Sequence, residues 1–135
     1  VSCEAIVPDN DECVDAIALG CGDIAIGNTS QATDTGGNAA PDLWYSFTGQ
    51  GVMQDVTASL CGSGYDTLIR VFDACGGAEI AVNDDSCGLQ SEVTFTSDGT
   101  STYFIMVEGF GAGAGEFTLA LSCNPDDPET NDDCV

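Results

Sequence analysis

A chain of 135 residues with 23 acidic side chains, one basic side chain and no histidine carries a formal net charge of -22. It cannot neutralise phosphates, so nucleic acid and anionic membrane surfaces are excluded as partners. Without an imidazole, Ser-His-Asp and Cys-His catalysis are excluded too, and zinc loses its usual nitrogen ligand.

A hydrophobic content of 43% and acids scattered in short clusters describe a folded chain, not a disordered acidic tail. The length suits a single domain. In chain order, residues 1–15 read as a junction segment containing Ser2-Cys3 and Pro8-Asp9-Asn10-Asp11-Glu12-Cys13-Val14. Asp15–Leu19 fits one helical turn with Asn10 or Asp11 as its cap. Eight β-rich runs follow: Asp23–Ser30, Leu43–Thr48, Asp55–Leu60, Thr67–Asp73, Glu79–Asn83, Glu92–Ser97, Thr102–Glu108 and Glu116–Ser122. Val93 and Phe95 alternate with threonines, as do Phe117, Leu119 and Leu121 with smaller or polar residues, so each of these strands has one wet face. Thr102–Glu108 is apolar on both faces and reads as a central strand. Gly109–Gly115 reads as a flexible hairpin loop, since neither a helix nor a lysine follows to make a phosphate cradle.

The expected fold is therefore all-β: an antiparallel β-sandwich, jelly-roll-like, of about eight strands. It occupies residues 16–123 and is followed by a Pro- and Asp-rich junction over 124–135. That junction repeats the beginning of the chain. Cys3 maps onto Cys123 with an offset of 120, and Asn10-Asp11-x-Cys13-Val14 maps onto Asn131-Asp132-x-Cys134-Val135 with an offset of 121. The period exceeds that of solenoid repeats, so each unit is expected to be a whole domain in a head-to-tail series.

Eight cysteines in a small chain without paired C-x-x-C motifs point to disulfides and an oxidising compartment. Eight cysteines allow 105 connectivities. The most economical scheme closes each junction on itself, Cys3 with Cys13 and Cys123 with Cys134. It then joins Cys75 to Cys87 across a hairpin and leaves Cys21 for Cys61. Asn28-Thr29-Ser30 is an N-glycosylation acceptor sequon. No segment has the apolar length of a membrane-spanning helix. No signal peptide remains, which leads us to expect a chain that was processed or cut from something longer.

From Trp44 onward an ordered series of motifs appears: Leu43-Trp44-Tyr45-Ser46-Phe47-Thr48, Ser59-Leu60-Cys61-Gly62-Ser63, Tyr65-Asp66-Thr67-Leu68-Ile69 and Val71-Phe72-Asp73-x-Cys75-Gly76. Asn83-Asp84-Asp85-x-Cys87-Gly88, Thr102-Tyr103-Phe104-Ile105-x-Val107-x-Gly109-Phe110 and Phe117-Thr118-Leu119 continue it. Over about residues 10–123 this resembles the pre-peptidase C-terminal (PPC-like) domains of exported microbial proteins, in their Cys-rich tandem form. The resemblance implies a secreted, non-catalytic β-sandwich, attached to hydrolases or strung in arrays on surface proteins.

Loops at one end of such a sandwich would bring together the carboxylates of Asp66, Asp84 and Asp85, oxygen ligands suited to calcium. The resemblance implies calcium-binding loops as well. Asp9, Asp11, Asp42, Asp73, Asp132 and Asp133 are weaker candidates, and many such residues serve only to cap turns. Trp44 and Tyr45 are adjacent in a strand and must face opposite ways. One belongs to the core; the other is either covered or free to stack on a sugar ring. Arg70, alone among acids, is expected to pair with one of them. No carboxylate pair is marked out for glycoside hydrolysis, so no enzymatic activity is expected.

The expected function is a structural repeat or protomer of an extracellular filament, adhesin or surface layer. It would assemble head to tail with copies of itself, with calcium as the one cofactor. The alternative is a carbohydrate-binding or targeting module of a secreted hydrolase, with glycans as partners. In either case the expected location is extracellular or the cell surface, with no membrane insertion.

Overall fold

A computed structural model describes residues 9–32 and 41–125. Among the described residues nine strands make up two sheets: β1 (Ile17–Ala18), β2 (Ile24–Asn28), β3 (Leu43–Thr48), β4 (Gln54–Ser59), β5 (Thr67–Phe72), β6 (Glu79–Asn83), β7 (Glu92–Ser97), β8 (Thr102–Gly109) and β9 (Glu116–Pro125). One sheet has the order β1-β3-β8-β5-β6, the other β2-β9-β4-β7. Every pairing is antiparallel except β1 with β3, which is parallel.

The alternation read from the sequence determines what is buried. Leu43, Tyr45 and Phe47 on β3, Ile69 and Val71 on β5, and Tyr103, Ile105 and Val107 on β8 face Val56, Ala58, Val93, Phe95, Phe117, Leu119 and Leu121 of the other sheet. Each fully buried Leu, Ile, Val or Phe contributes about 1.5–3 kcal/mol relative to exposure. Tyr45 meets Phe117 edge-on at 6.1 Å and Phe47 meets Phe95 at 6.4 Å, the preferred geometry for aromatic pairs. Gly27 on β2 lies directly under this layer: a Cβ there would stand 2.5 Å from Phe117 Cζ, so only glycine lets β2 close on the core.

Six of the eight expected strands start and stop within one residue of the observed ones. β2 is shorter than expected at both ends, and β9 runs on to Pro125. A ninth strand and the lead-in to it are new. The chain makes a 3-10 turn at Cys13–Asp15, with Glu12 before it and no side-chain cap. Ile17–Ala18 then adds a short parallel strand, where one helical turn over Asp15–Leu19 was expected. Backbone bonds to β3, such as Leu19 N–H to the Ser46 carbonyl at 2.8 Å, override the weak local helical preference. β8 is central in its sheet, as its two apolar faces require.

The disulfides correct the expected connectivity. Cys13 is bonded to Cys75, Cys21 to Cys123 and Cys61 to Cys87. Cys75 and Cys87 do not join because they lie beyond opposite ends of β6. Its five residues span roughly 17 Å, and a disulfide needs Cα atoms within about 7 Å. Cys21 goes to Cys123 instead of Cys61 because the turn before β2 is laced to β9, with Gly22 N–H on the Leu121 carbonyl and Leu121 N–H on the Asp23 carbonyl. With Cys13 and Cys123 so engaged, the expected pairs Cys3–Cys13 and Cys123–Cys134 are both overturned. Cys3 and Cys134 themselves lie outside the described residues.

Candidate functional site

Residues 9–19 form a strap along the open edge of β3. Asn10 fastens it at one point with two bonds: its carbonyl accepts from Trp44 N–H at 2.9 Å, and its Nδ2 donates to the Trp44 carbonyl at 2.8 Å. Two residues further along the same edge, Leu19 N–H bonds the Ser46 carbonyl. Between these anchors the strap reaches Cys75, in the turn between β5 and β6, through the Cys13–Cys75 disulfide. Asn10 and Asp11 are buried. An unpaired edge strand is a template for unwanted pairing, and the strap occupies this one.

The strap belongs with a second apolar layer on the outer face of the five-stranded sheet. Trp44 and Met106 are buried there, outside the main core, and Trp44 packs against Phe72 with ring centroids 5.6 Å apart. Trp44 and Tyr45 do face opposite ways, but at 6% and 4% exposure neither offers a ring to a sugar. Glycan stacking on this pair is therefore not available. The same outer face holds Glu108, fully buried, against Arg70.

The acidic loops lie elsewhere. Asp66 precedes β5, and its carbonyl accepts from Phe110 N–H at 3.0 Å, which ties it to the β8–β9 loop. Asp84 and Asp85 follow β6 in a loop held to the end of β4 by Cys61–Cys87. The three are close enough to interact. Slight desolvation, and then the charges of Asp84 and Asp66, hold the Asp85 carboxyl above its ordinary range. Asp66 Oδ1 is buried without a hydrogen-bond partner, which is what a cation ligand would look like. Yet no group of three or more His, Cys, Asp or Glu side chains among the described residues is gathered tightly enough to hold a metal ion. Calcium at this end would draw the rest of its six to eight oxygens from backbone and water.

Asp73 has a different role: its Oδ1 accepts from Ala78 N–H at 2.9 Å and closes the β5–β6 turn. Asp98 accepts from both the N–H and the hydroxyl of Thr100 and of Ser101, and these bonds hold its carboxyl far below the usual range. Asn28 is exposed at the end of β2, with its Oδ1 accepting from Ser30 N–H at 2.8 Å. Thr29 of the same triplet is buried, and its hydroxyl accepts from Gly115 N–H at 3.1 Å. Asp132, Asp133 and Cys134 lie outside the described residues.

Sequence reasoning missed Asn10 and Glu108 as buried polar residues. The recurrence of Asn10 with Cys13 at 131 and 134 was the available signal for the first. For Glu108 there was none beyond its place at the end of an otherwise apolar strand.

No family model matches the sequence, and no curated protein matches it either. Solved structures do. The pre-peptidase C-terminal domain of a collagenase from Bacillus anthracis superposes with a TM-score of 0.54 at 16% identity, over 79% of this chain and 94% of that one. A periplasmic inhibitor of g-type lysozyme (PliG) from Aeromonas hydrophila superposes with a TM-score of 0.56 at 14% identity, over 81% of this chain and 97% of that one.

Proposed function

Starting from a PPC-like sandwich with three internal disulfides, we propose that the chain is a non-catalytic structural unit of an extracellular head-to-tail assembly. The observation that carries this reading is the role of the repeated residues. Asn10 and Cys13, which recur as Asn131 and Cys134, are two of the fasteners of the strap. A repeat that copies fasteners copies an attachment. The disulfides favour an oxidising, extracellular location, and the charge of -22 keeps a crowded assembly soluble.

The test is the intact mass of native material, denatured but not reduced, with both ends mapped. Mass well above 13.8 kDa with further copies of the Asn-Asp-x-Cys-Val junction supports a covalent array. Discrete chains that assemble in dilute buffer support a polymer of protomers. A single chain that stays monomeric sinks both.

A second reading, an accessory module of a secreted hydrolase, draws support from the collagenase domain that shares the fold. It predicts a hydrolase sequence in the same polypeptide and retention on its substrate. With Trp44 and Tyr45 buried, the contact would have to use other residues.

Calcium binding by Asp66, Asp84 and Asp85 is part of the leading proposal. Asp85 is raised by desolvation first and then by the charges of Asp84 and Asp66, and a bound cation would offset that repulsion. Asn28 is proposed as a glycan site: attachment at Nδ2 leaves the Oδ1 bond to Ser30 in place. Release by a peptide-N-glycosidase, with conversion of Asn28 to Asp, is the check.

A further inference from the structure

Two sheets have four outer edges, and three of these are guarded. The β1 side of the five-stranded sheet carries the strap and its disulfide. β6, on the other side, holds Glu79 in an ion pair with Arg70. β7, at one edge of the four-stranded sheet, begins with Glu92. Charges and covering segments of this kind keep edges from pairing with other chains. β2 has neither. Its sequence, Ile24-Ala25-Ile26-Gly27-Asn28, is uncharged in a molecule of net charge -22. Among the described residues it is paired on one side only, with β9.

The alternation of the ladder identifies the backbone groups on the open side. The Asp23 carbonyl accepts from Leu121 N–H, and Thr29 N–H bonds the Gly115 carbonyl. The odd-numbered residues from Asp23 to Thr29 therefore turn their backbone groups toward β9, and the residues between them turn theirs away. Those are Ile24, Ile26 and Asn28. Their side chains are exposed too, Ile24 at 65% and Ile26 at 78%.

We propose that this edge pairs with the β2 edge of a second copy, antiparallel about a two-fold axis through Ile26, joining two four-stranded sheets into one of eight strands. The strand is complementary to itself. Ile26 meets Ile26 of the second copy, and the two exchange a pair of backbone hydrogen bonds. Ile24 meets Asn28, whose N–H bonds the Ile24 carbonyl on each side of the axis. Ala25 and Gly27 form the non-hydrogen-bonded pairs between them, with Cα atoms about 4.5 Å apart. Charge selects the occupant. Two strongly acidic copies can touch along a neutral strand, whereas a basic partner would be drawn to the acidic loops, since β2 offers it no carboxylate. The Asn28 side chain stands off the sheet face and not along its edge, so a glycan there leaves the backbone bonds open.

The contact takes five residues from each copy, against roughly 20–30 a side in a standard interface, so a single pair is weak. It also closes at two copies, because a two-fold contact uses the same patch on both. This lateral contact goes beyond the head-to-tail reading, which by contrast predicts growth without closure.

Sedimentation equilibrium of the full, oxidised chain is the test. The two-fold axis brings Glu116, opposite Asn28 on β9, to the end where Asp23 of the second copy lies. Raising salt from about 0.01 M to about 1 M shortens the Debye length from about 30 Å to about 3 Å. Association should then tighten about tenfold and stop at the dimer. Ile26→Pro removes an N–H that points away from β9, and the symmetry deletes two bonds at once, so affinity should fall about tenfold or more. Ile26→Lys changes an exposed side chain and should weaken the dimer as well. In a mixture of isotope-labelled and unlabelled chains, a filtered nuclear Overhauser contact between Ala25 Hα and Gly27 Hα of opposite copies is expected. A chain that stays monomeric at high salt overturns the inference, as does a dimer whose affinity ignores both variants. Assemblies that grow past two copies equally well in Ile26→Lys overturn it too, and support the head-to-tail contact alone.

Discussion

Arg70 Nε donates to Glu108 Oε2 at 2.8 Å between the adjacent strands β5 and β8, and the Glu108 side chain has no exposure to solvent. The one basic side chain of the molecule thus sits against a fully buried carboxylate, while its Nη1 reaches the half-exposed Glu79 at 3.0 Å. Removing one partner of a buried pair leaves the other charge in low dielectric, whereas replacing both with apolar groups is close to neutral. Arg70→Met should therefore cost about 3 kcal/mol, and Arg70→Met with Glu108→Leu should recover most of it. Urea unfolding of the two singles and the double supplies the cycle; additive losses would show that the pair is not coupled.

The disulfides close loops of different length, with sequence separations of 102 for Cys21–Cys123, 62 for Cys13–Cys75 and 26 for Cys61–Cys87. Loop-closure entropy assigns these about 4.7, 4.3 and 3.5 kcal/mol. Double Cys→Ser variants should lose stability in that order. The Cys13/Cys75 variant should also release the strap, seen as faster amide exchange at Trp44 and Leu19.

Burial pushes the Tyr65 hydroxyl up to about 12, and this hydroxyl donates to the Glu108 carbonyl at 3.3 Å. A folded-state value above the unfolded one, near 10, contributes stability that is complete below pH 10 and is lost as the pH rises toward 12. Tyr65→Phe should lower the melting temperature at pH 8 through the missing bond and flatten the decline between pH 10 and 12. An unchanged alkaline slope would assign that decline to other groups.

Asp98 works in the opposite direction. Its depressed folded value gives stability that is present above the unfolded value, near 4, and is lost as the pH falls below it. Asp98→Asn should leave acid unfolding less steep below pH 4 while loosening the turn at 99–101. Melting curves at pH 6, 4 and 2.5 for the two proteins make the comparison.

Asp85, raised by slight desolvation and by Asp84 and Asp66, supplies the test for calcium. In chelator, Asp85→Asn should melt higher than the parent, because a like-charge contact has gone. In millimolar calcium the order should reverse. A parent indifferent to calcium, yet unstable in dilute buffer, would make the acidity an adaptation to high salt.

Most strands were legible in the sequence because two-residue alternation is a local signal: Phe117, Leu119 and Leu121 announce β9 without reference to any neighbour. Ile17–Ala18 carried no such signal, since a two-residue parallel strand exists only through its partner. The disulfides failed for the same reason. Cys75 and Cys87 are close in sequence but lie beyond opposite ends of β6, and Cys21 finds Cys123 only because β2 pairs with β9. The burial of Trp44 depended equally on distant residues, among them Phe72, and the recurrence of Asn10 was visible while its bond to the Trp44 backbone was not. The three acids at 66, 84 and 85 lie on loops near enough for their charges to interact, while their spacing is a matter of loop conformation that no motif encodes.

Only eight positions separate Cys13 from Cys21 in the sequence, and Cys21 is bonded to Cys123 with 5.5 Å between their Cα atoms. The shortest covalent route from the strap to the last strand is therefore at most about 30 Å of extended chain plus one disulfide, although the two cysteines at its ends are numbered 13 and 123. A pull applied at both ends travels along this shortcut, through β1 and the end of β9, and leaves residues 22–122 outside the covalent line of force. The bulk of the sandwich then hangs beside the loaded path instead of forming part of it. Stretching cannot unravel it while the bond stands. Reduction would release up to roughly 370 Å of chain, turning a nearly inextensible connection between the two ends into a slack one.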